Sequence, residues 1–310
     1  MTEARPRLVL AGGAGFLGRV LARHFIAEGW DTIVLSRKAR PAEAGCRYVP
    51  WGGESLGAWA AEIEGADALV NLAGRTVNCR YTARNRQEIY DSRLKSTAAL
   101  GAAIAKCARP PKVWLNSASA TIYRHALDRP MDETTGEIGS GFSVDVCQRW
   151  ERAFFDAPVP ATRRVALRTA MVFGPGADGV FEAFRRIVRL GLGGTLGKGD
   201  QFVSWIHERD FVRAVAWLIA HTELDGAVNL SAPNPLPNRD FMRAFREVCG
   251  ARIGLPATSW MLEIGALFMR TETELLLKSR RVVPGRLLDS GFAFEFPEVR
   301  EALAEIVRRG

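Results

Sequence analysis

The chain has 310 residues, 47% of them hydrophobic and 25% charged, a balance that excludes a disordered or fibrous protein and leaves room for one large domain or two smaller ones. The formal net charge is +8, yet basic residues such as Arg185, Arg186, Arg189, Arg308 and Arg309 are spread over helical patterns. That spread predicts solvated faces and no nucleic-acid partner. Residues 1–7 run straight into an apolar segment with no signal-like region, and the most apolar later stretch, 260–269, carries Glu263 and is too short to span a bilayer. A cytoplasmic protein with no membrane partner is expected. The five cysteines form no C-x-x-C pair, so free thiols and no metal site are expected.

Strand-like and helix-like segments alternate through residue 170. Strands are predicted near 7–12, 31–36, 46–50, 67–72, 112–117 and 163–169. Helices are predicted near 15–28, 55–64, 84–107 and 143–156. Apolar strands alternating with amphipathic helices predict a doubly wound, Rossmann-type parallel sheet. Ligands of such a sheet bind at the carboxyl ends of the strands, near the switch in strand order. After residue 170 the pattern changes. Residues 191–210 are glycine-rich, a helix is expected near 208–222, a strand near 227–232, and a helix opening at Asn238. The tail from 251 is read as mostly helical, with a looped segment at 279–294. The expected division is a dinucleotide-binding domain over 1–172, to which the chain returns near 205–232, and a smaller, mostly helical substrate region over 173–310.

The first strand ends in LAGGAGFLG, residues 10–18. Glycine tolerates positive φ and lets the backbone approach another group closely. The free N–H groups and positive dipole end of the following helix suit a pyrophosphate. Gly12, Gly15, Phe16, Leu17 and Gly18 are therefore candidate cofactor residues, and Gly15 is expected to need either positive φ or a side-chain-free surface. The second strand ends at Ser36, Arg37 and Lys38, where a site for NAD would hold an acid on the ribose 2′-hydroxyl. Two cations and a hydroxyl suit the 2′-phosphate of NADP(H) instead. A charge-assisted hydrogen bond there is worth about 1.5–3 kcal/mol. The fourth strand ends in Asn71, Leu72, Ala73 and Gly74, small enough for a cofactor to lie against. Arg75, Arg80, Arg84 and Arg86 follow in the next loop and helix start; each singly reads as solvated, and the alternative is a place facing the pyrophosphate or an anionic substrate.

The glycine turn, the NLAG strand end (71–74), NSASATIY (116–123) and RTAMVFGPG (168–176) resemble the extended short-chain dehydrogenase/reductase superfamily, the NAD(P)-dependent epimerase/dehydratase group. NCRYTARNRQEIYDSRLKST (78–97), QFVSWIHERD (201–210) and SRRVVPGRLLDSGF (279–292) are similar to an epimerase-like branch with its own C-terminal domain of unknown function. The resemblance implies a Ser that polarises the substrate, a Tyr general acid/base and a Lys four residues on. The Ser position matches Ser119. Counting back from Glu151 places Ser143 where the family keeps Tyr and Cys147 where it keeps Lys. No Tyr-x-x-x-Lys occurs anywhere in the chain. An Asn that sugar-nucleotide enzymes carry shortly after Arg168 is also missing.

The expected activity is that of an NADP(H)-binding, epimerase-like oxidoreductase on a small substrate. The substrate is expected between Ser119, the loop 75–81 and the segment 201–207. The competing reading is a non-catalytic NADP(H) sensor or regulatory protein. Ser119 and Tyr123 are the catalytic candidates. Arg93, Ser117, Thr169 and Met171 complete the expected cofactor contacts, and a homodimer is a further expectation.

Overall fold

The computed structural model describes residues 5–37, 45–176, 179–257 and 277–310. Its centre is a seven-stranded sheet. The chain enters through β1 (Arg7–Ala11), β2 (Asp31–Ser36) and β3 (Arg47–Pro50), then continues through β4 (Ala68–Asn71), β5 (Val113–Ser119) and β6 (Arg163–Thr169). Three short strands follow: β7 (Met171–Phe173), β8 (Phe202–Val203) and β9 (Trp205–His207). Next come β10 (Gly226–Leu230) and β11 (Leu236–Pro237). The sheet order is β3-β2-β1-β4-β5-β6-β10, and every pair is parallel. Strand order therefore reverses between β1 and β4, and the crevice at their carboxyl ends is where such a sheet binds ligands.

Alternation along the strands builds two cores. Leu8, Leu10, Val34, Val70, Leu115 and Leu167 face one way, onto α1 (Phe16–Ala27) and α5 (Glu208–Ala220). Val9, Ile33, Leu35, Leu69 and Trp114 face the other, onto α2 (Ala83–Ile104) and α3 (Phe142–Phe155). Each fully buried Leu, Ile or Phe stabilises the fold by about 1.5–3 kcal/mol. A third, aromatic core joins α4 (Val180–Arg189), α6 (Asn238–Val248) and the C-terminal helix Val299–Arg309 through Phe173, Phe184, Trp205, Phe241 and Leu303. Of the two small sheets, β7 with β9 joins the cores, sending Val172 and Ile206 into the first and Phe173 and Trp205 into the third, whereas β8 with β11 packs on the third through Val203 and Leu236.

The helix expected over 55–64 forms only a 3-10 turn, Ala58–Ile63. Gly57 and Gly65 bracket it and no side chain caps its start, so too few residues remain for stable α-helical turns. The tail from 251 was expected to be mostly helical, apart from a looped segment at 279–294. Among its described residues, helices cover Gly285–Asp289 and Val299–Arg309, and residues 258–276 lie outside the described residues. Residues 279–283 instead form an extended strap. Arg280 N–H donates to the Phe202 carbonyl (2.9 Å), Met131 N–H to the Arg281 carbonyl (2.7 Å) and Val283 N–H to the Met131 carbonyl (3.0 Å). The buried Ser204 hydroxyl accepts from Val282 N–H at 2.9 Å, and Ser279 Oγ donates to the Ala126 carbonyl at 2.6 Å.

Candidate functional site

The glycine turn lies at the strand-order reversal. Gly12 takes φ +73°, and a Cβ there would stand 2.7 Å from Ala73 Cα. Gly18 packs harder still: its Cβ would lie 2.1 Å from the Gly13 carbonyl oxygen. Gly15, the N-cap of α1, has φ −82° and ψ −175°, extended backbone open to any residue. The positive φ lies at Gly12, where the chain leaves the strand. A Cβ at Gly15 would meet nothing within 4 Å, so the protein itself leaves that face open. That open face adjoins the start of α1, where no side chain caps the helix. Phe16 and Leu17 lean back onto the core, the Phe16 ring against Gly174.

Beside the turn, β2 ends in a buried Ser36 and an exposed Arg37, with no carboxylate at either position. Lys38 lies outside the described residues. At the end of β4, Leu72 N–H donates to the Ala11 carbonyl at 2.8 Å. Asn71 Nδ2 donates to Asn116 Oδ1 at 2.7 Å, while Asn71 Oδ1 accepts from Ala73 N–H at 3.0 Å. Trp150 Nε1 donates to Thr97 Oγ1 at 3.0 Å on the same network. The sequence places Asn71 and Asn116 in strand-end motifs but was not read for this network, although asparagines ending two apolar parallel strands are a usable signal, because a buried amide must find partners. The network holds the carboxyl ends of β4 and β5 together, with Ser117 next in line.

Arg93 reaches in from α2. Its guanidinium carbon would lie 3.5 Å from a Cβ on Gly74 and stands 5.0 Å from the centre of the Trp150 ring. Nη1 donates to the Arg75 and Ile89 carbonyls at 3.1 and 3.2 Å. Burial pulls its pKa down. No carboxylate pairs with it among the described residues, so this cation is held against the switch point by neutral groups.

Ser119 ends β5 opposite Thr169 of β6. Its oxygen accepts from Thr121 N–H at 3.2 Å, and among the described residues no acceptor takes its proton. The hydroxyl is thus fixed as an acceptor on one side and available as a donor on the other. Tyr123 has no such freedom and is corrected as a catalytic candidate. It is 1% exposed, its hydroxyl donates to Asn229 Oδ1 at 2.9 Å, and Arg168 Nη1 donates to it at 2.9 Å. Burial pushes its pKa up, which opposes ionisation further. Arg168 meanwhile grips Glu151 through two 2.8 Å bonds, and Asn229 Nδ2 donates to the Val283 carbonyl of the strap at 2.9 Å. Tyr123 is a link in a buried polar chain. On α3, Cys147 is 5% exposed, and burial, with the Glu151 carboxylate adding to it, pushes its thiol pKa to about 12.

A model of the NAD dependent epimerase/dehydratase family matches residues 8–231. The chain belongs to that family. A second model, of a domain of unknown function, matches residues 257–306. Bovine epimerase family protein SDR39U1 is 32% identical over 97% of this chain and 99% of its own length. An epimerase family protein of Mycobacterium leprae is 33% identical over 100% and 99%. The crystal structure of human SDR39U1, isoform 2, with NADPH superposes at a TM-score of 0.87, with 31% identity over 98% of this chain and 100% of that one. MoeE5 in complex with UDP-glucuronic acid and NAD has the same fold at a TM-score of 0.77 and 19% identity.

Not every residue expected at this epimerase-family cleft faces it. Gln201 is 3% exposed and donates to the Leu196 carbonyl at 2.8 Å. His207 is wholly buried: Nε2 lies 3.0 Å from Glu305, and Nδ1 accepts from Arg209 N–H at 3.1 Å. Burial lowers its pKa to about 4, although Glu305 pulls the other way, so it is a neutral helix cap rather than a proton carrier. The segment 201–207 was expected to border the substrate; at these two positions the side chains turn inward, and His207 serves as a structural hydrogen-bonder. Arg75 and Arg84 both pair with Glu88, and Arg86 donates to the Tyr81 carbonyl at 2.9 Å. A cavity of about 200 Å³ opens at the other end of the sheet, between Trp30, Arg163 and the Lys112–Asp67 ion pair, remote from the glycine turn.

Proposed function

We propose that this chain is an NADP(H)-dependent oxidoreductase of epimerase-like type that handles a small substrate without the family's Tyr–Lys relay. The observation that carries the reading is the pairing of an open anion cradle at Gly15 with a β2 end, Ser36 and Arg37, that has hydrogen-bond donors and no acid. The likeness over the whole chain to an NADPH-bound protein supports the same cofactor here. The free N–H groups of α1 would receive the pyrophosphate, and Arg37 with Ser36 the 2′-phosphate. Arg93 would lie along the cofactor beside Gly74, with Ser117, Thr169 and Met171 bordering the reacting end.

The cofactor, when bound, supplies hydride transfer. The chain's own contribution is positioning and polarisation. Ser119 presents an O–H whose oxygen is already held by Thr121, so it donates to a substrate oxygen with its rotor restricted. Tyr123, Cys147 and His207 are sealed, so a proton in this site comes from water or from the substrate.

The second reading, an NADP(H) sensor, draws on one observation: Ser143 and Cys147 stand where the family keeps its acid/base pair, and Cys147 is buried. One experiment separates the two. Purified protein is titrated with NADPH and NADH by fluorescence and then assayed for nicotinamide turnover on a panel of aldehydes, ketones and hydroxy acids. Tight NADPH binding with turnover on any member supports the oxidoreductase. Tight binding with no turnover across the panel supports the sensor. Equal affinity for NADPH and NADH overturns the cofactor assignment.

A further inference from the structure

A buried carboxylate lies behind the glycine turn. Glu208, the first residue of α5, is 3% exposed. A Cβ on Gly174 would collide with this carboxylate and stand 2.8 Å from Phe16 Cζ. The carboxylate and the Phe16 ring therefore meet at the bare face of Gly174. Phe16 is also the first residue of α1. One phenylalanine side chain thus separates the negative charge from the free N–H groups at the start of that helix.

A bare carboxylate in that place would oppose a phosphate at the helix start, because like charges repel strongly across a water-poor interior. Arg309 offsets it. Its Nη1 donates to Glu208 Oε1 at 2.8 Å, while Oε2 meets no donor among the described residues. Arg309 is itself held: Nε pairs with Glu305 at 2.7 Å, and Glu305 lies 3.0 Å from Nε2 of His207, the residue before Glu208. The helix Val299–Arg309 thus brings a fixed cation, 101 residues along the chain, to a carboxylate beneath the turn.

We infer that Arg309 is a positioning residue of the cofactor cleft, which neutralises Glu208 and so keeps the start of α1 open to the cofactor's phosphates. The inference rests on the NADP(H) reading above and adds a residue remote from the glycine turn in sequence. Arg309 acts through Glu208 and not by touching the cofactor. Removing one partner of a buried ion pair leaves the other charge uncompensated. Here that loss has two parts, a weaker dock for the helix Val299–Arg309 and a repulsion felt by phosphate. Only the second disappears when the carboxylate is removed as well.

The test is NADPH binding by the full chain, read by calorimetry. R309M is expected to bind NADPH at least about tenfold more weakly than the wild-type chain, and R309K to recover most of that loss. E208Q removes the charge and keeps the shape, so it is expected to bind NADPH at least as tightly as the wild type. The double variant E208Q/R309M is expected to return to within about threefold of wild type. A merely structural role for Arg309 leaves the double variant as weak as R309M, because an amide does not restore the lost dock. That result overturns the inference, as does unchanged affinity in R309M. Should R309M fail to fold, E208Q decides alone, and weaker NADPH binding in it overturns the inference. The wild-type titration keeps the two readings distinct. Absence of NADPH binding there refutes the cofactor reading, whereas wild-type binding with R309M unchanged refutes the role of Arg309 alone.

Discussion

The two ends of the cleft lie along the carboxyl ends of the central strands and are built differently. At the β1–β4 end, a turn of four glycines closes on the backbone of Ala73 and leaves one face of Gly15 bare. Every feature there follows from a missing Cβ or a free helix N–H. At the β5–β6 end, α3 carries neither Tyr nor Lys. What stands there is a capped Ser119, a buried Cys147 and cations delivered by α2 and the strap. In the proposed function, cofactor binding therefore rests on backbone at one end and the chemistry on side chains at the other.

The largest expected effects divide the glycine end itself. Gly18→Val forces a Cβ to within 2.1 Å of the Gly13 carbonyl and should destabilise the chain by at least about 3 kcal/mol, read as a fall in the urea midpoint. Gly15→Val places its side chain in open space, so its urea midpoint should correspond to a loss within about 1 kcal/mol, the scale of a poorer N-cap. NADPH affinity in that variant should nevertheless fall about 100-fold, the equivalent of two charge-assisted hydrogen bonds. Unchanged NADPH affinity in Gly15→Val would put the pyrophosphate elsewhere and end the comparison.

A smaller effect concerns specificity. Arg37→Asp should remove at least about tenfold of the preference for NADPH over NADH, measured as a ratio of dissociation constants. At the other end of the cleft, Ser119→Ala should lower turnover about tenfold or more on any substrate found, with Ser143→Ala and Cys147→Ala near wild type. If Ser143 proves essential and Ser119 dispensable, the assignment at this end is reversed. The smallest effect is on reactivity. With its thiol pKa held near 12, Cys147 should resist a thiol reagent at about pH 8 in the folded protein and react once urea exposes it. Rapid labelling in the native state would show that the helix opens.

Much of the fold was legible because its signals are local. Leu8, Val9 and Leu10 read as a buried strand, and each proved fully buried, since a strand covered on both faces needs apolar residues at every position. The return of the chain to the sheet was legible in the apolar run now seen as β10. Other features depend on distant partners. Gly15 and Gly12 look alike in sequence, and only the approach of Ala73 shows which one bends. Tyr123 looks like a candidate acid until Arg168 and Asn229, 45 and 106 residues away, close on its hydroxyl.

The sequence by itself therefore determined the sheet, the glycine turn, the absence of an acid after β2 and the absence of Tyr-x-x-x-Lys, because each is a matter of residue type, spacing and backbone freedom. Tertiary structure alone decided which polar groups are sealed and which face the cleft. That choice belongs to long-range hydrogen bonding. A hydroxyl or ring nitrogen acquires its role from whatever partner folding brings within 3 Å, as the 98 residues between His207 and Glu305 illustrate.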